Sequence, residues 1–273
     1  MSMPGSQNVQ SVTRAFRLLE SLNRRAWSSV DQLHRDTGLP KPTIVRMLHT
    51  LIHGGYVAKD GRQNGYRVTP KVQSLSCGFH GDPLVVEAGR PWAIALTRDF
   101  RWPAAIATFD GGGVTIRFST IPDSPISPFH ATLNMKLSLF ANALGLAYYA
   151  FSTEAERDML LAMVADKERD LLVSREDGWL EGRVQQARAR GYAVRDPRTE
   201  PRNSATIAVP IMHGDRVAAT IGLTFFRKAV SAEDAELYVA ALKRTAAMVG
   251  EQIVRLEDVG DTRPDGQLTP APR

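Results

Sequence analysis

Residues 28–51 read Ser28-Ser-Val-Asp-Gln-Leu-His-Arg-Asp-Thr-Gly-Leu-Pro-Lys-Pro-Thr-Ile-Val-Arg-Met-Leu-His-Thr-Leu51, and this stretch decides the fold of the first part of the chain. The pattern predicts two short helices joined by a tight turn at Gly38, because glycine tolerates the positive φ that such a turn needs. Ser28 or Ser29 can cap the first helix. Pro40 to Pro42 suit the start of the second, where the backbone N–H groups are unpaired anyway.

The second helix is predicted to be the recognition helix of a helix-turn-helix, which enters the major groove of DNA. Its predicted buried face repeats at helical spacing and consists of Ile44, Leu48, Leu51 and Ile52. The residues left on its outer faces, expected to face base edges, are Thr43, Arg46, Met47 and Thr50. Three basic side chains are expected to contact phosphates, namely Lys41, Arg62 and Arg67.

A helix is predicted before this motif and a hairpin after it. Residues 11–22 form an amphipathic helix with Val12, Phe16 and Leu22 on its apolar face. Strands are predicted over 56–59 and 65–68, since the Asp-Gly and Asn-Gly pairs between them are strong turn signals. A hairpin in this position is a wing, and Arg62 lies at its tip.

The charge of the chain is concentrated near the predicted helix-turn-helix. Residues 1–82 hold 11 Lys and Arg against 5 Asp and Glu, whereas residues 83–273 hold 23 against 24. All of the net charge of +5 therefore lies with the first part of the chain. Binding to the phosphate backbone of DNA requires such a basic module.

The 273 residues, 43% hydrophobic and 23% charged, fit a small domain followed by a medium one. No apolar run reaches the ~20 residues of a membrane span, and no signal peptide is recognisable at the N-terminus. A single cysteine, Cys77, excludes an internal disulfide framework and favours a cytoplasmic location. The predicted organisation is a disordered start (1–8), a DNA-binding domain (9–69), a linker helix (70–82), a second domain (83–256) and a disordered tail (257–273).

The second domain is predicted to alternate hairpins and helices. Strands are expected over 104–109, 114–120, 205–212 and 216–226, and helices over 84–100, 137–151, 153–165, 175–190 and 231–256. No regular βαβ unit appears, so the predicted class is α+β, an antiparallel sheet with helices on one side. The triplet Gly111–Gly113 is interpreted as a hairpin turn, since a phosphate loop would continue with Lys and Ser or Thr.

No arrangement of residues in the sequence predicts catalysis, a cofactor or a metal. His49 and His53 have the spacing of a metal pair, but they stand on the recognition helix and are interpreted as facing solvent or phosphate. The second domain is therefore interpreted as a binding module. Two alternatives remain: an enzyme with an accessory DNA-binding domain, and an architectural DNA binder.

Weak signals in the second domain point to a small organic anion. A helix starting near Asn142 presents free N–H groups to an anion, although the small residues around it equally favour close helix packing. Ser204 follows Arg202 and Asn203 at the start of a strand, where an anion can also bind. Gly222 and Thr224 share one face of a strand, which either lines a cavity or faces water.

By these residues the chain resembles the isocitrate-lyase-regulator (IclR) family of bacterial transcription factors. Residues 38–48 resemble the family motif Gly-Leu-Pro-Lys-Ser-Thr-x-x-Arg-Leu-Leu, with Pro42 in place of the usual Ser. Residues 143–147 resemble Ala-x-Gly-Lys-Ala, with Leu146 in place of Lys. Residues 190–193 and 207–211 also resemble family segments, so the resemblance covers almost the whole chain.

The resemblance implies a winged helix-turn-helix domain, a linker helix and an effector domain with a curved antiparallel sheet flanked by helices. It implies homodimers or tetramers that bind a pseudo-palindromic double-stranded operator. The residues expected to contact the effector are Asn142, Ala143, Leu144, Ser204, Thr206, Gly222 and Thr224. Residues 127–150 are most similar to the branch that regulates breakdown of aromatic acids such as hydroxyphenylpropionate. The expected effector is therefore a phenolic or benzoic carboxylate.

Overall fold

The computed structural model describes residues 8–61, 65–77, 83–164 and 166–261. It divides the chain into two compact units, Met1–Gly81 and Asp82–Arg273. Among the described residues, no helix is both long and apolar enough to cross a bilayer.

The N-terminal unit has three helices and a two-stranded antiparallel hairpin: α1 (Gln10–Asn23), α2 (Val30–Thr37), α3 (Lys41–His53), β1 (Val57–Asp60) and β2 (Gly65–Val68). Ser29 caps α2 through a capping box with Gln32, because each side chain accepts a hydrogen bond from the other residue's backbone N–H. Gly38 ends α2 with a φ of 69°, as the turn requires. Ser28 instead pairs its backbone with Tyr66 of β2.

The expectation that Val12 and Phe16 are buried is wrong. Their side chains are 51% and 56% exposed, whereas Leu18 and Leu22 of the same helix are fully buried. α1 packs on α2 and β2 through the Leu18 and Leu22 side. The core of this unit is completed by Leu33, Leu39, Ile44, Leu48 and Val57.

The predicted linker helix is also corrected within the described residues. Pro70–Leu75 forms a 3-10 helix instead of an α-helix. Lys71 donates a hydrogen bond from Nζ to the Gly54 carbonyl at 2.8 Å and lies 4.8 Å from the centre of the Tyr56 ring. Thr69 donates from Oγ1 to the Gly55 carbonyl at 2.6 Å. These contacts hold the start of the segment against the N-terminal unit, and residues 78–82 lie outside the described part.

The C-terminal unit is built on a six-stranded sheet in which all neighbours are antiparallel, in the order β5-β4-β3-β8-β7-β6. The strands are β3 (Ala104–Phe109), β4 (Val114–Ser119), β5 (Lys136–Leu137), β6 (Ala193–Val194), β7 (Ser204–His213) and β8 (Arg216–Phe226). The helices are α4 (Leu84–Phe100), α5 (Ala143–Phe151), α6 (Glu154–Met163), α7 (Asp166–Val173), α8 (Trp179–Arg190) and α9 (Ala232–Asp261).

Helices cover both faces of this sheet, so the expectation of helices on one side is wrong. α4 and α9 pack on the face that carries Ile221 and Leu223 of β8. α5, α6 and α8 belong to the core on the other face, which includes Ala107 and Ala208. The small side chains on that second face leave room for α5 to lie close to β7 and β8.

Several predicted helix boundaries are corrected by local hydrogen bonds. The helix predicted over 137–151 begins only at Ala143, because residues 138–142 form a turn before it. In that turn Ser138 donates its backbone N–H to Asn142 Oδ1 at 3.1 Å and accepts the Ala141 N–H at 2.9 Å. The helix predicted over 175–190 begins at Trp179, after the left-handed Gly178. The separate helix α7 was not predicted.

The predicted disordered tail is wrong for its first five residues. α9 continues through residues 257–261 to Asp261. The remaining tail, and all of the predicted disordered start except residue 8, lie outside the described residues.

Candidate functional site

The four residues predicted to face base edges lie on one surface of the N-terminal unit. Arg46 and Thr50 are exposed, Thr43 and Met47 are half-buried, and Ile44 and Leu48 on the opposite side of α3 are in the core. An open groove runs along this surface, lined by Ser11, Arg14, Thr43, Val45, Arg46, Met47, His49 and Thr50. Sequence reasoning did not assign Ser11 and Arg14, although the basic polar side of α1 is a signal for them.

The residues predicted to contact phosphates differ in their surroundings. Arg67 is exposed on β2. Lys41, at the start of α3, forms an ion pair with Asp31, with 2.8 Å between Nζ and Oδ1. The hydrogen bond and the charge of Lys41 lower the pKa of the Asp31 carboxyl. Arg62 lies outside the described residues. Lys41 is therefore partly neutralised before it meets any phosphate.

We expect Asp31→Asn to raise the affinity for DNA, because it frees Lys41 and removes a carboxylate that repels phosphates. The expected gain is roughly two- to fivefold, because solvent screens an exposed ion pair and its effect is small. The logarithm of the DNA-binding constant should also fall more steeply with the logarithm of salt concentration, by the amount expected for about one additional phosphate contact. Fluorescence anisotropy with a labelled duplex at several salt concentrations measures both.

Glu20→Gln is the matched control, because it changes the net charge equally at an exposed position of α1. An equal gain in DNA affinity in both variants would mean that only the net charge of the protein matters. The ion pair between Lys41 and Asp31 would then have no effect of its own.

The C-terminal unit contains a cavity of about 230 Å³ on the sheet face that also carries α5. Five residues predicted to contact an effector line it: Asn142, Ala143, Leu144, Thr206 and Thr224. Thr206 and Thr224 are neighbours on β7 and β8, with 3.0 Å between their hydroxyl oxygens. The alternative that Thr224 faces water is therefore excluded.

The start of α5 meets this cavity without a side-chain cap. Asn142 precedes the helix in extended conformation, and its Oδ1 accepts from Ser138 instead of from the first turn of α5. The first N–H groups of the helix are thus unpaired by side chains, and they carry the positive end of the helix dipole. Gly145 serves close packing, because a Cβ there would lie 2.7 Å from the Leu139 Cα.

Ser204 and Gly222 do not line the cavity. Ser204 is buried, accepts a hydrogen bond from Arg195 and donates one to the Pro201 carbonyl at 2.9 Å. Gly222 shares a sheet face with Thr224, but a Cβ there would lie 2.6 Å from the Ile207 carbonyl oxygen. Ser204 therefore holds the lining residue Arg195 in place. Gly222 allows β7 and β8 to approach closely.

Arg195 lines the cavity and was missed by sequence reasoning. It is only 4% exposed, and its Nη atoms donate to Ser204 Oγ and to the carbonyls of Thr199 and Glu200. Its Nε is buried without a hydrogen-bond partner among the described residues. Burial, and secondly the charge of Arg227, lowers the pKa of the guanidinium. The charge of Glu200 acts on this pKa in the opposite direction. Within the described residues, the hydrogen bonds of the guanidinium all go to neutral oxygens.

The surroundings of Arg195 are otherwise apolar or already paired. The Phe129 ring centre lies 5.6 Å from its guanidinium carbon. The Glu200 carboxylate pairs with Arg202 Nε at 2.9 Å. The next residue, Asp196, donates its backbone N–H to the Ala141 carbonyl at 2.8 Å and pairs with Arg175 at 3.0 Å. The loop that carries Arg195 is thereby fixed to the turn before α5.

A metal site finds no support within the described residues, where no three His, Cys, Asp or Glu side chains are grouped to hold an ion. His49 and His53 are both exposed on α3. The described residues of the groove along α3 therefore form no metal-binding cluster, and neither do those of the cavity beside Arg195.

A winged helix-turn-helix unit followed by a unit with a ligand-sized cavity defines a class of protein, the ligand-responsive transcriptional regulators. Residues 11–61 match the family model of the IclR helix-turn-helix domain, and residues 129–251 match that of the bacterial transcriptional regulator IclR C-terminal domain. The chain belongs to the IclR family. It is a transcriptional regulator that binds DNA and a small molecule, and it is not an enzyme.

Individual relatives agree with this assignment. The chain is 27% identical over 234 residues to the HTH-type transcriptional regulator XynR of Escherichia coli (strain K12), covering 84% of this chain and 90% of that protein. The Thermotoga maritima IclR structure has a TM-score of 0.60 at 18% identity, covering 90% of this chain and 99% of that one. An IclR homolog from Microbacterium hydrocarbonoxydans, complexed with 4-hydroxybenzoate, has a TM-score of 0.54 at 18% identity, with the same coverages.

Proposed function

We propose that this regulator controls a catabolic operon in response to a small aromatic carboxylic acid bound in the cavity of the C-terminal unit. Arg195 is the observation that carries the proposal. A buried cation whose hydrogen bonds go to neutral oxygens is stabilised by an anionic ligand. The uncapped first turn of α5 adds a second source of positive potential at the same cavity.

The remaining walls of the cavity favour a ring. Apolar side chains supply most of them: Ile116, Ile121, Phe129, Met135, Leu137 and Leu144. Pockets for small organic ligands combine such walls with a few placed polar groups. The polar groups proposed to contact the effector are Arg195, Asn142, Thr206 and Thr224, together with the backbone of Ala143 and Leu144. Ser204 acts by holding Arg195.

On the DNA side, Thr43, Arg46, Met47 and Thr50 are proposed to read bases, and Lys41, Arg62 and Arg67 to contact phosphates. The protein is proposed to act as a homodimer or tetramer on a pseudo-palindromic operator, with half-sites about one helical turn apart or a multiple of it. The exposed apolar face of α1, with Val9, Val12 and Phe16, supports pairing of N-terminal units.

Regulation follows if the effector binds two arrangements of the paired N-terminal units with different affinities. A ligand shifts an equilibrium only by that difference. The acid is therefore expected to change the affinity of the protein for its operator as well as the stability of the C-terminal unit.

We expect 4-hydroxybenzoate to raise the melting temperature of the full-length protein and 4-hydroxybenzamide to raise it little. The amide has the same shape without the charge that Arg195 attracts. At a hundred times its dissociation constant the acid should stabilise the protein by ~2.7 kcal/mol. Differential scanning fluorimetry measures the shift, and gel mobility on duplexes selected from a random pool measures the change in DNA affinity.

Equal shifts with acid and amide would contradict the role of Arg195. If neither this acid nor any other aromatic carboxylate has an effect on melting or on DNA affinity, the aromatic-acid effector is wrong.

A further inference from the structure

The cavity has a second group of polar side chains, on β4 and on the loop that follows it. Ser119 and Thr132 both line the cavity, and Thr132 donates a hydrogen bond from Oγ1 to Ser119 Oγ at 3.0 Å. Thr132 is buried and Ser119 half-buried. We propose that this hydroxyl pair binds a hydroxyl group on the effector ring, remote from the carboxylate, and so selects hydroxylated over unsubstituted aromatic acids. The inference rests on the proposed function.

A β-bulge brings Ser119 to the cavity. Ile106 of β3 is opposite Phe118 of β4, but Ala107 is opposite Ile116, so Arg117 is an extra residue in β4. Side chains three positions apart in a regular strand lie on opposite faces. Because of the bulge, Ile116 and Ser119 both line the cavity, whereas Phe118 packs on the opposite face. The bulge thus places one hydroxyl in an otherwise apolar wall.

The pair has hydrogen-bonding capacity left for a ligand. Ser119 Oγ accepts from Thr132 and, at 3.4 Å, from the Ile121 N–H. The Ser119 hydroxyl proton has no acceptor among the described residues, and Thr132 Oγ1 keeps free lone pairs. One donor and one acceptor in adjacent positions match a phenolic hydroxyl, which both donates and accepts.

The hydroxyl pair and the groups proposed to bind the carboxylate lie on different strands around the same cavity. Ser119 is on β4, whereas Thr206 is on β7, and the backbone N–H of Arg195 donates to the Thr206 carbonyl at 3.1 Å. β4 and β7 are three strand spacings apart in the sheet, or ~14 Å at ~4.8 Å per spacing. Apolar side chains supply most of the cavity lining between these groups, which suits an aromatic ring.

Calorimetry of the full-length protein with benzoate and 4-hydroxybenzoate tests the proposal. We expect the wild-type protein to bind the hydroxylated acid roughly five- to tenfold more tightly, the range of a net hydrogen bond. Ser119→Ala and Thr132→Val should each bring this ratio close to one, because they remove the hydrogen bond to the ring hydroxyl, a group that benzoate lacks. Thr132→Ser keeps the hydroxyl and should keep the ratio.

Ser124→Ala is the matched control, because Ser124 bonds within the same loop but does not line the cavity. Its ratio should equal that of the wild type. A wild-type ratio near one, or a ratio kept in both Ser119→Ala and Thr132→Val, overturns the inference and leaves the carboxylate proposal standing. If neither these two acids nor any other aromatic carboxylate binds the wild type, the proposed function and this inference both fail.

Discussion

Replacing Arg195 by leucine should weaken binding of 4-hydroxybenzoate roughly ten- to hundredfold. Hydrogen bonds to charged groups contribute ~1.5–3 kcal/mol each, and the buried guanidinium is the cation of the described cavity lining. Binding of 4-hydroxybenzamide should change much less, because a neutral amide gains little from the positive charge. Titration calorimetry with both ligands measures the two affinities. The ratio of the affinity for the acid to that for the amide should fall strongly.

Two variants separate this effect from a general loss of structure. Arg198→Leu removes an exposed arginine from the same loop, at a position that does not line the cavity, and should leave both affinities unchanged. Arg195→Lys keeps a charge without the planar fork and should fall between wild type and leucine. Because Arg195 also holds Ser204, Thr199 and Glu200, melting curves should accompany each titration. Wild-type affinity for the acid in a folded Arg195→Leu protein would show that the carboxylate binds elsewhere.

The helix-turn-helix was predictable because its signals are local. Ser29 caps α2 three residues before Gln32, Gly38 takes the left-handed position, and Ile44 and Leu48 repeat at helical spacing. Each of these constraints acts within one turn of chain. They can therefore be recognised in the sequence without knowledge of the tertiary contacts.

The packing of α1 was not predictable in the same way. Its apolar residues fit two overlapping helical faces, one with Val12 and Phe16 and the other with Leu18, and Leu22 belongs to both. The sequence pattern favours the first, but contact with α2 and β2 buries the second. The structure of the segment after Thr69 was also not predictable from local pattern. Lys71 contacts Gly54 and the Tyr56 ring, which are distant in sequence.

Some residues that line the cavity were predictable from the sequence and others were not. Asn142 was predicted from a helix start expected near it, and Thr224 from the alternation of side chains along its strand. Ala143, Leu144 and Thr206 were predicted only through the resemblance. Arg195 and Ser119 were not predicted. Arg195 is surrounded by Glu200 of its own loop, by Ser204 at the start of β7 and by the distant Phe129 ring. Ser119 reaches the cavity only through the bulge at Arg117. A strict alternation of side chains would place Ser119 on the wrong face.

On the DNA side, Arg46→Ala should remove base discrimination at one position of each half-site. Arg46 is exposed at the centre of the groove along α3, and its side chain forms no ion pair or hydrogen bond among the described residues. It is free to reach a base edge, where an arginine contact to guanine is worth ~1–3 kcal/mol of discrimination. That corresponds to roughly five- to 150-fold per half-site.

Selection of duplexes from a random pool with the wild type, followed by anisotropy on the selected duplex and on single-base variants, measures the discrimination. Lys41→Ala is the contrasting variant. A phosphate contact carries no sequence information, so its loss should weaken binding to all duplexes alike. The salt slope should fall by less than one full contact, because Asp31 already neutralises part of the Lys41 charge. If Arg46→Ala behaves like Lys41→Ala, Arg46 contacts the backbone and another residue of the groove reads the bases. If Arg46→Ala leaves both affinity and base preference unchanged, α3 is not the recognition helix, because its exposed centre would then make no energetic contact with DNA.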